Sequence, residues 1–192
     1  MNLQNKYFVL RHGQTIHQTK LKNTVYGWPD DEPPCGLTKF GKEQIKKAAQ
    51  KLKKKNIDLI FCSDARRTKE TAEIVAKELD LRVSYDERLR DVNWGIYQGK
   101  SALRAWAYYK NPKLRFKKAP PKGESWDEVR DRMLSIFKEL EQKYNGKNIL
   151  IISHGDPLWL LEGWIKGRSE NQLLKQKFTG KMIKTGEVRK LQ

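Results

Sequence analysis

Three short, uninterrupted apolar runs constrain this chain more than any other feature: Tyr7-Phe8-Val9-Leu10, Leu59-Ile60-Phe61-Cys62 and Ile149-Leu150-Ile151-Ile152, each bounded by polar residues. A strand with one wet face alternates apolar and polar residues. A strand covered on both faces does not, so runs like these belong in a parallel sheet with other structure packed on each side. Between them lie stretches of helical period: Phe40, Gln44, Ala48 and Leu52; then Ala65, Thr68, Ala72, Val75 and Leu79; then Trp126, Val129, Met133, Phe137, Leu140 and Tyr144. Strand alternating with helix predicts an α/β fold. Ser125 with Glu128, and Ser169 with Gln172, each fit the capping box, in which two side chains satisfy backbone donors at a helix start.

At 192 residues the chain can bury one substantial core, and a single domain over residues 1–192 is expected. Residues 93–122 are less regular. They hold a short helix candidate at 102–109 and a basic, proline-bearing stretch, and read as a lid or crossover insertion. The lysines from Lys51 to Lys55 read as the solvated end of a helix. Cys35 and Cys62 lack C-x-x-C spacing, no apolar stretch approaches the roughly 20 residues a membrane span needs, and no signal-peptide pattern follows Met1. A cytoplasmic protein without membrane attachment is expected. Lys and Arg total 40 against 23 Asp and Glu, a net charge of +17 that favours anionic ligands without separating a small phosphate ester from a nucleic acid.

Of three histidines, two stand as His-Gly directly after a strand-like run: Leu10-Arg11-His12-Gly13 and Ile152-Ser153-His154-Gly155. Ligands of open α/β sheets bind beyond the carboxyl ends of the strands, so both imidazoles can face one site. Each following glycine allows backbone to approach an anion closely. A phosphate ester presents several anionic oxygens, which guanidinium neutralises best because its donors fork over two at once. Arg11 adjoins His12, and Arg66 and Arg67 follow the run ending at Cys62, near the same edge.

Arg11-His12-Gly13 with Thr15, the segment Ser63 to Ala72, the run Leu89 to Gly99, Gly123-Glu124-Ser125 and His154-Gly155 together resemble the histidine phosphatase, or phosphoglycerate-mutase-like, superfamily. That resemblance implies a three-layer α/β/α sandwich with a mainly parallel central sheet. It implies His12 as the nucleophile that becomes phosphorylated, with Arg11, Arg67 and His154 holding the phosphoryl oxygens. Arg67 rather than Arg66 stands where the pattern S-x-x-x-R-x-x-x-T-A places its arginine. The nucleophile needs one unprotonated ring nitrogen while the other is held by a hydrogen bond, and a protonated His154 would add charge for the transition state. Asp91 occupies the position of the general acid, where many relatives carry glutamate; Asp156 and Glu124 are alternatives. Gln18, where relatives carry asparagine, together with Tyr26, Gly27 and Glu124, are the expected substrate-binding residues, and the connection from Asp30 to Thr38 is longer than usual. No cofactor and no metal are expected.

The implied activity is hydrolysis of a small phosphorylated metabolite through a phosphohistidine. A bisphosphoglycerate-dependent mutase would use the same His12, but the mutases of the family are longer chains. A degenerate member binding RNA or another polyanion is the reading from a different class, although no RNA-binding motif interleaved with aromatics is present. Ser125 has an ordinary capping role, a solvated turn residue or an arginine partner is the alternative to the favoured catalytic reading of Asp91, and Trp94, Tyr97, Trp159 and Trp164 read as packing residues.

Overall fold

The computed structural model describes residues 3–19, 24–28 and 35–191. Five strands form one sheet in the order β3-β2-β4-β1-β5. β1 (Lys6–Arg11), β2 (Leu59–Cys62), β3 (Val83–Tyr85) and β4 (Asn148–Ser153) are parallel, and β5 (Val188–Lys190) pairs antiparallel with β1 at one edge. Among the described residues the helices are α1 (Lys39–Lys53), α2 (Arg66–Leu79), α3 (Ala102–Ala107), α4 (Trp126–Lys143), α5 (Gly155–Ile165) and α6 (Glu170–Phe178).

The apolar runs become strands because both of their faces are covered. Tyr7, Val9, Ile149 and Ile151 point to one side, where Met133, Phe137 and Leu140 of α4 and Leu158 and Leu161 of α5 meet them. Phe8, Leu10, Leu150 and Ile152 point to the other, against Ile45, Ala48 and Leu52 of α1 and Ala72 and Val75 of α2. The side-chain period of two thus feeds two separate cores, and the fold is a three-layer α/β/α sandwich. Both capping boxes form: Ser125 with Glu128 starts α4 and Ser169 with Gln172 starts α6.

One expectation needs correction. α1 does not bury Phe40, which is 60 % exposed, and Gln44 hydrogen-bonds Gln14 and Thr185 instead of packing in the core. The reason is the tight approach of α1 to the end of β1: a Cβ on Gly13 would lie 2.6 Å from the Gly41 carbonyl oxygen, so the helix rotation is set by Gly41 and Ile45 and turns Phe40 outward. The sheet also gains β3 and β5, short strands that carry no apolar run because their side chains are only partly covered. Residues Asp30 to Pro34 of the long connection lie outside the described residues.

Residues 93–122 build a third core. Two 3-10 turns, Gly95–Tyr97 and Pro112–Phe116, flank α3. Trp94, Ala105, Tyr109 and Phe116 pack with Trp126 of α4, Trp159 and Leu160 of α5 and Leu173 of α6. The Trp126 and Trp159 rings meet edge-on with centroids 4.9 Å apart, a geometry that adds about 0.5–1.5 kcal/mol to the burial itself.

Candidate active site

Register places the site. Arg11 pairs with Ser153 and Cys62 with Ile152, so β1, β4 and β2 end side by side at their carboxyl edges. The next residues are His12, His154 and Ser63, all buried. His154 is also the N-cap residue of α5, which brings the positive end of an eleven-residue helix dipole to this edge.

The two imidazoles face one another, with ring centroids 5.2 Å apart and planes at 61°. His12 Nδ1 lies 2.7 Å from the Gly13 carbonyl oxygen, to which it donates. That bond fixes the tautomer and leaves Nε2 with its lone pair. Burial, then the charges of Arg67 and Arg11, hold the His12 pKa well below the usual 6.5, so the ring is neutral.

Arg67 is 1 % exposed and forms the hub. Its Nε donates to His154 Nδ1 at 3.2 Å, and its Nη2 donates to the Gly27 carbonyl at 2.9 Å and to Asp91 Oδ2 at 3.3 Å. Since His154 Nδ1 accepts from Arg67, its proton is on Nε2, which lies 2.9 Å from Ser63 Oγ. Burial first, then Arg67 and His12, push the His154 pKa well below 6.5. That direction favours the neutral ring in the pocket as it stands. An aspartate 3.6 Å away does not offset the surrounding guanidinium charge.

The family model described as histidine phosphatase superfamily (branch 1) matches residues 7–182 of this chain. The chain belongs to the histidine phosphatase superfamily. It is 30% identical over 167 residues to the "Probable phosphoglycerate mutase GpmB" of Photorhabdus laumondii, covering 83% of this chain and 74% of that protein. Among solved structures it is similar to mycobacterial hydrolase 1, with TM-score 0.79 and 25% identity over 95% of this chain and 86% of that one. It is also similar to the mycobacterial glucosyl-3-phosphoglycerate phosphatase, with TM-score 0.73 and 27% identity, covering 88% of this chain and 82% of that one.

In this histidine phosphatase superfamily member the loop bearing Asp91 is held by residues on other elements. Arg132 of α4 donates to the carbonyls of Arg88, Arg90 and Asp91 at 2.8, 2.6 and 2.8 Å. Glu124 ion-pairs with Arg132 at 2.8 Å and accepts from the Asn93 backbone N–H at 2.9 Å. Glu124 thus braces the Asp91 loop, and it lines a cavity shared with Trp28, Arg90 and Arg132 rather than the one beside Arg11. Asp91 Oδ1 accepts from the Val92 N–H at 2.9 Å. Burial, reinforced by Asp156 and opposed by Arg67, raises the Asp91 pKa.

Arg11 donates through Nη1 to the Ile183 carbonyl at 3.0 Å, while its Nε is buried with no hydrogen-bond partner among the described residues. Its guanidinium lies against Gly155, where an added Cβ would come within 3.1 Å of Cζ. Tyr26 stacks on His17 with centroids 3.6 Å apart, and Arg67 sits over the Tyr26 ring. The Gly27 amide donates to Gln98 Oε1 at 3.1 Å. Gln18 is exposed, and its side-chain oxygen closes a local capping box with Thr15. Asp156 accepts from Lys177 at 2.7 Å and from the Trp126 indole at 3.0 Å.

Sequence reasoning missed Ser63 as the partner of His154, Arg132 as the brace of Asp91, and Thr71, which accepts from the Gly13 N–H at 3.2 Å. Ser63 and Thr71 flank Arg67 in the recognised pattern at helical spacing, a signal that could have pointed to both. Arg132 carries no local signal. Among the described residues no group of three or more His, Cys, Asp and Glu is arranged to hold a metal ion, and no helix is long and apolar enough to cross a membrane.

Proposed function

We propose that this protein is a phosphomonoester hydrolase that works through a phosphohistidine on His12, acting on a small phosphorylated metabolite in the cytoplasm. The observation that carries the reading is His12 Nε2: a neutral ring nitrogen, its tautomer held by Gly13, set in a pocket with Arg67 and Arg11. The unpartnered Arg11 Nε and the Arg67 guanidinium take the phosphoryl oxygens. A bound phosphoryl dianion counters the guanidinium charge and favours protonation of His154, so that ring gains its charge on substrate binding.

In the first half-reaction the Nε2 lone pair forms the N–P bond as the P–O ester bond breaks, and Asp91 gives its proton to the departing alkoxide. A raised carboxyl pKa suits that step. In the second, the Asp91 carboxylate takes a proton from water, whose oxygen attacks phosphorus. The N–P bond breaks, phosphate leaves, and both side chains return to their starting states.

The test is turnover of a panel of phosphate esters without added metal, with detection of acid-labile phosphohistidine on quenched enzyme. His12→Ala is expected to abolish both signals; full activity in that variant refutes the mechanism. Similarity to a protein named a phosphoglycerate mutase supports a second reading, in which the phosphoryl group passes to another hydroxyl. Efficient isomerisation of phosphoglycerate with bisphosphoglycerate present and no phosphate release would favour it.

A further inference from the structure

A cavity of about 320 Å³ is lined at one end by Arg11, Asp91 and Gly155, the first and last of which adjoin His12 and His154 in the chain. Its walls away from that end are Val25, Tyr26, Val92, Trp94, Trp106 and Met182. The aromatic wall is preformed. Trp94 meets Trp106 edge-on with centroids 5.8 Å apart, and Arg115 lies over the Trp94 ring at 4.3 Å. Arg115 is itself fully buried, its Nη1 donates to Tyr109 Oη and the Glu124 carbonyl at 2.7 and 2.6 Å, and it backs the indole from outside the cavity lining.

The charge around this cavity is equally telling. Among the described residues that line it, the charged side chains are Arg11, Asp91, Asp156 and Lys177. Arg11 belongs to the phosphoryl end. Lys177 is held by Asp156 at 2.7 Å and lies within 5.2 Å of the Trp126 and Trp159 ring centroids. Among the described lining residues a carboxylate or second phosphate on the ester's alcohol portion would therefore meet two aspartates and, away from Arg11, no cation without an anionic partner, and a buried unpaired charge is costly. A flat apolar ring finds aromatic and aliphatic surface there.

We infer that this cavity is the leaving-group pocket and that the substrates are phosphomonoesters of uncharged alcohols bearing a flat or apolar ring, in preference to phosphorylated acids. The inference rests on the phosphatase reading for its chemistry, but the pocket's preference can be measured without turnover. Comparing 2-phenylethyl phosphate, glycerol phosphate and 3-phosphoglycerate keeps every leaving group an alkyl alcohol, so differences report the pocket and not ester reactivity.

The expected kcat/KM for 2-phenylethyl phosphate exceeds that of the other two at least about tenfold. Trp106→Ala should remove most of that ratio through KM, and Trp106→Phe should restore part of it. In the non-reacting His12→Asn variant, tryptophan fluorescence titration should rank the three esters in the same order. Equal or faster turnover of 3-phosphoglycerate, or a ratio that survives Trp106→Ala, overturns the inference. Should wild type turn over none of the esters while the titration keeps the ranking, the hydrolase reading fails and the pocket assignment stands; a titration without preference overturns the pocket even if turnover is found.

Discussion

Asp91 and Asp156 line the same cavity and are almost equally shielded from water, with side chains 14% and 13% exposed, yet their proton affinities diverge. Burial raises both. At Asp91 the nearest cation is Arg67 at 3.3 Å, shared with His154 and Gly27, and Asp156 adds repulsion, so the pKa stays raised. At Asp156 the Lys177 ammonium at 2.7 Å and the Trp126 indole at 3.0 Å outweigh burial, and the pKa falls below the usual carboxyl value. Shielding alone does not decide protonation; the closeness of the donors and the number of other groups competing for them do. The proton is therefore retained more readily on the side facing the histidines, and the fixed charge sits on the side facing α6.

The strongest way to break this contrast is Asp91→Asn. On the proposed mechanism it lowers kcat for esters of poor leaving groups by about 10²–10⁴-fold and spares activated aryl phosphates, because only the former need a proton. Equal losses on both classes would mean that the acid lies elsewhere. Asp156→Asn should do the reverse: a smaller effect on that selectivity but a loss of about 1–3 kcal/mol in unfolding free energy, since Lys177 is left without its anion. Chemical denaturation with matched m-values checks this.

The histidines extend the contrast to cations. His12 and His154 have folded pKa values well below 6.5, so their neutral forms carry no penalty above that value. As the pH falls below 6.5, the unfolded chain binds protons that the folded one resists, and stability is lost. The expected decline is up to about 2 kcal/mol per histidine at about pH 5, read as a falling Tm, and His154→Asn should flatten it. Arg132→Lys is the mildest test. It cannot bridge three carbonyls with a planar fork, and should lower kcat about tenfold on poor leaving groups while leaving the Ki for inorganic phosphate unchanged. No change would show that the Asp91 loop holds itself.

Local patterns exposed much of this molecule. The three covered strands, the α4 stripe and both capping boxes follow from periodicity and from donors that must be satisfied at helix starts, which act over a few residues. Phe40 escaped that logic because helical period fixes the spacing of a stripe but not its rotation, which the contact of Gly41 with Gly13 sets. Gln18, an expected substrate contact, engages its side-chain oxygen in the Thr15 cap.

From the chain alone came two histidines and an arginine pair at strand ends and the expectation that they share one site, because strand direction and the His-Gly junctions are written locally; the family resemblance singled out His12 as nucleophile and Arg67 over Arg66. Protonation was decided only in three dimensions. The lowered proton affinity of His154 depends on burial and then on Arg67 arriving from α2, the raised affinity of Asp91 on burial and then on Asp156 from α5, and the shape of the cavity on Trp94 and Trp106 from residues 93–122. Electrostatic energies depend on distance through space, and these distances exist only once the sheet has brought remote segments together.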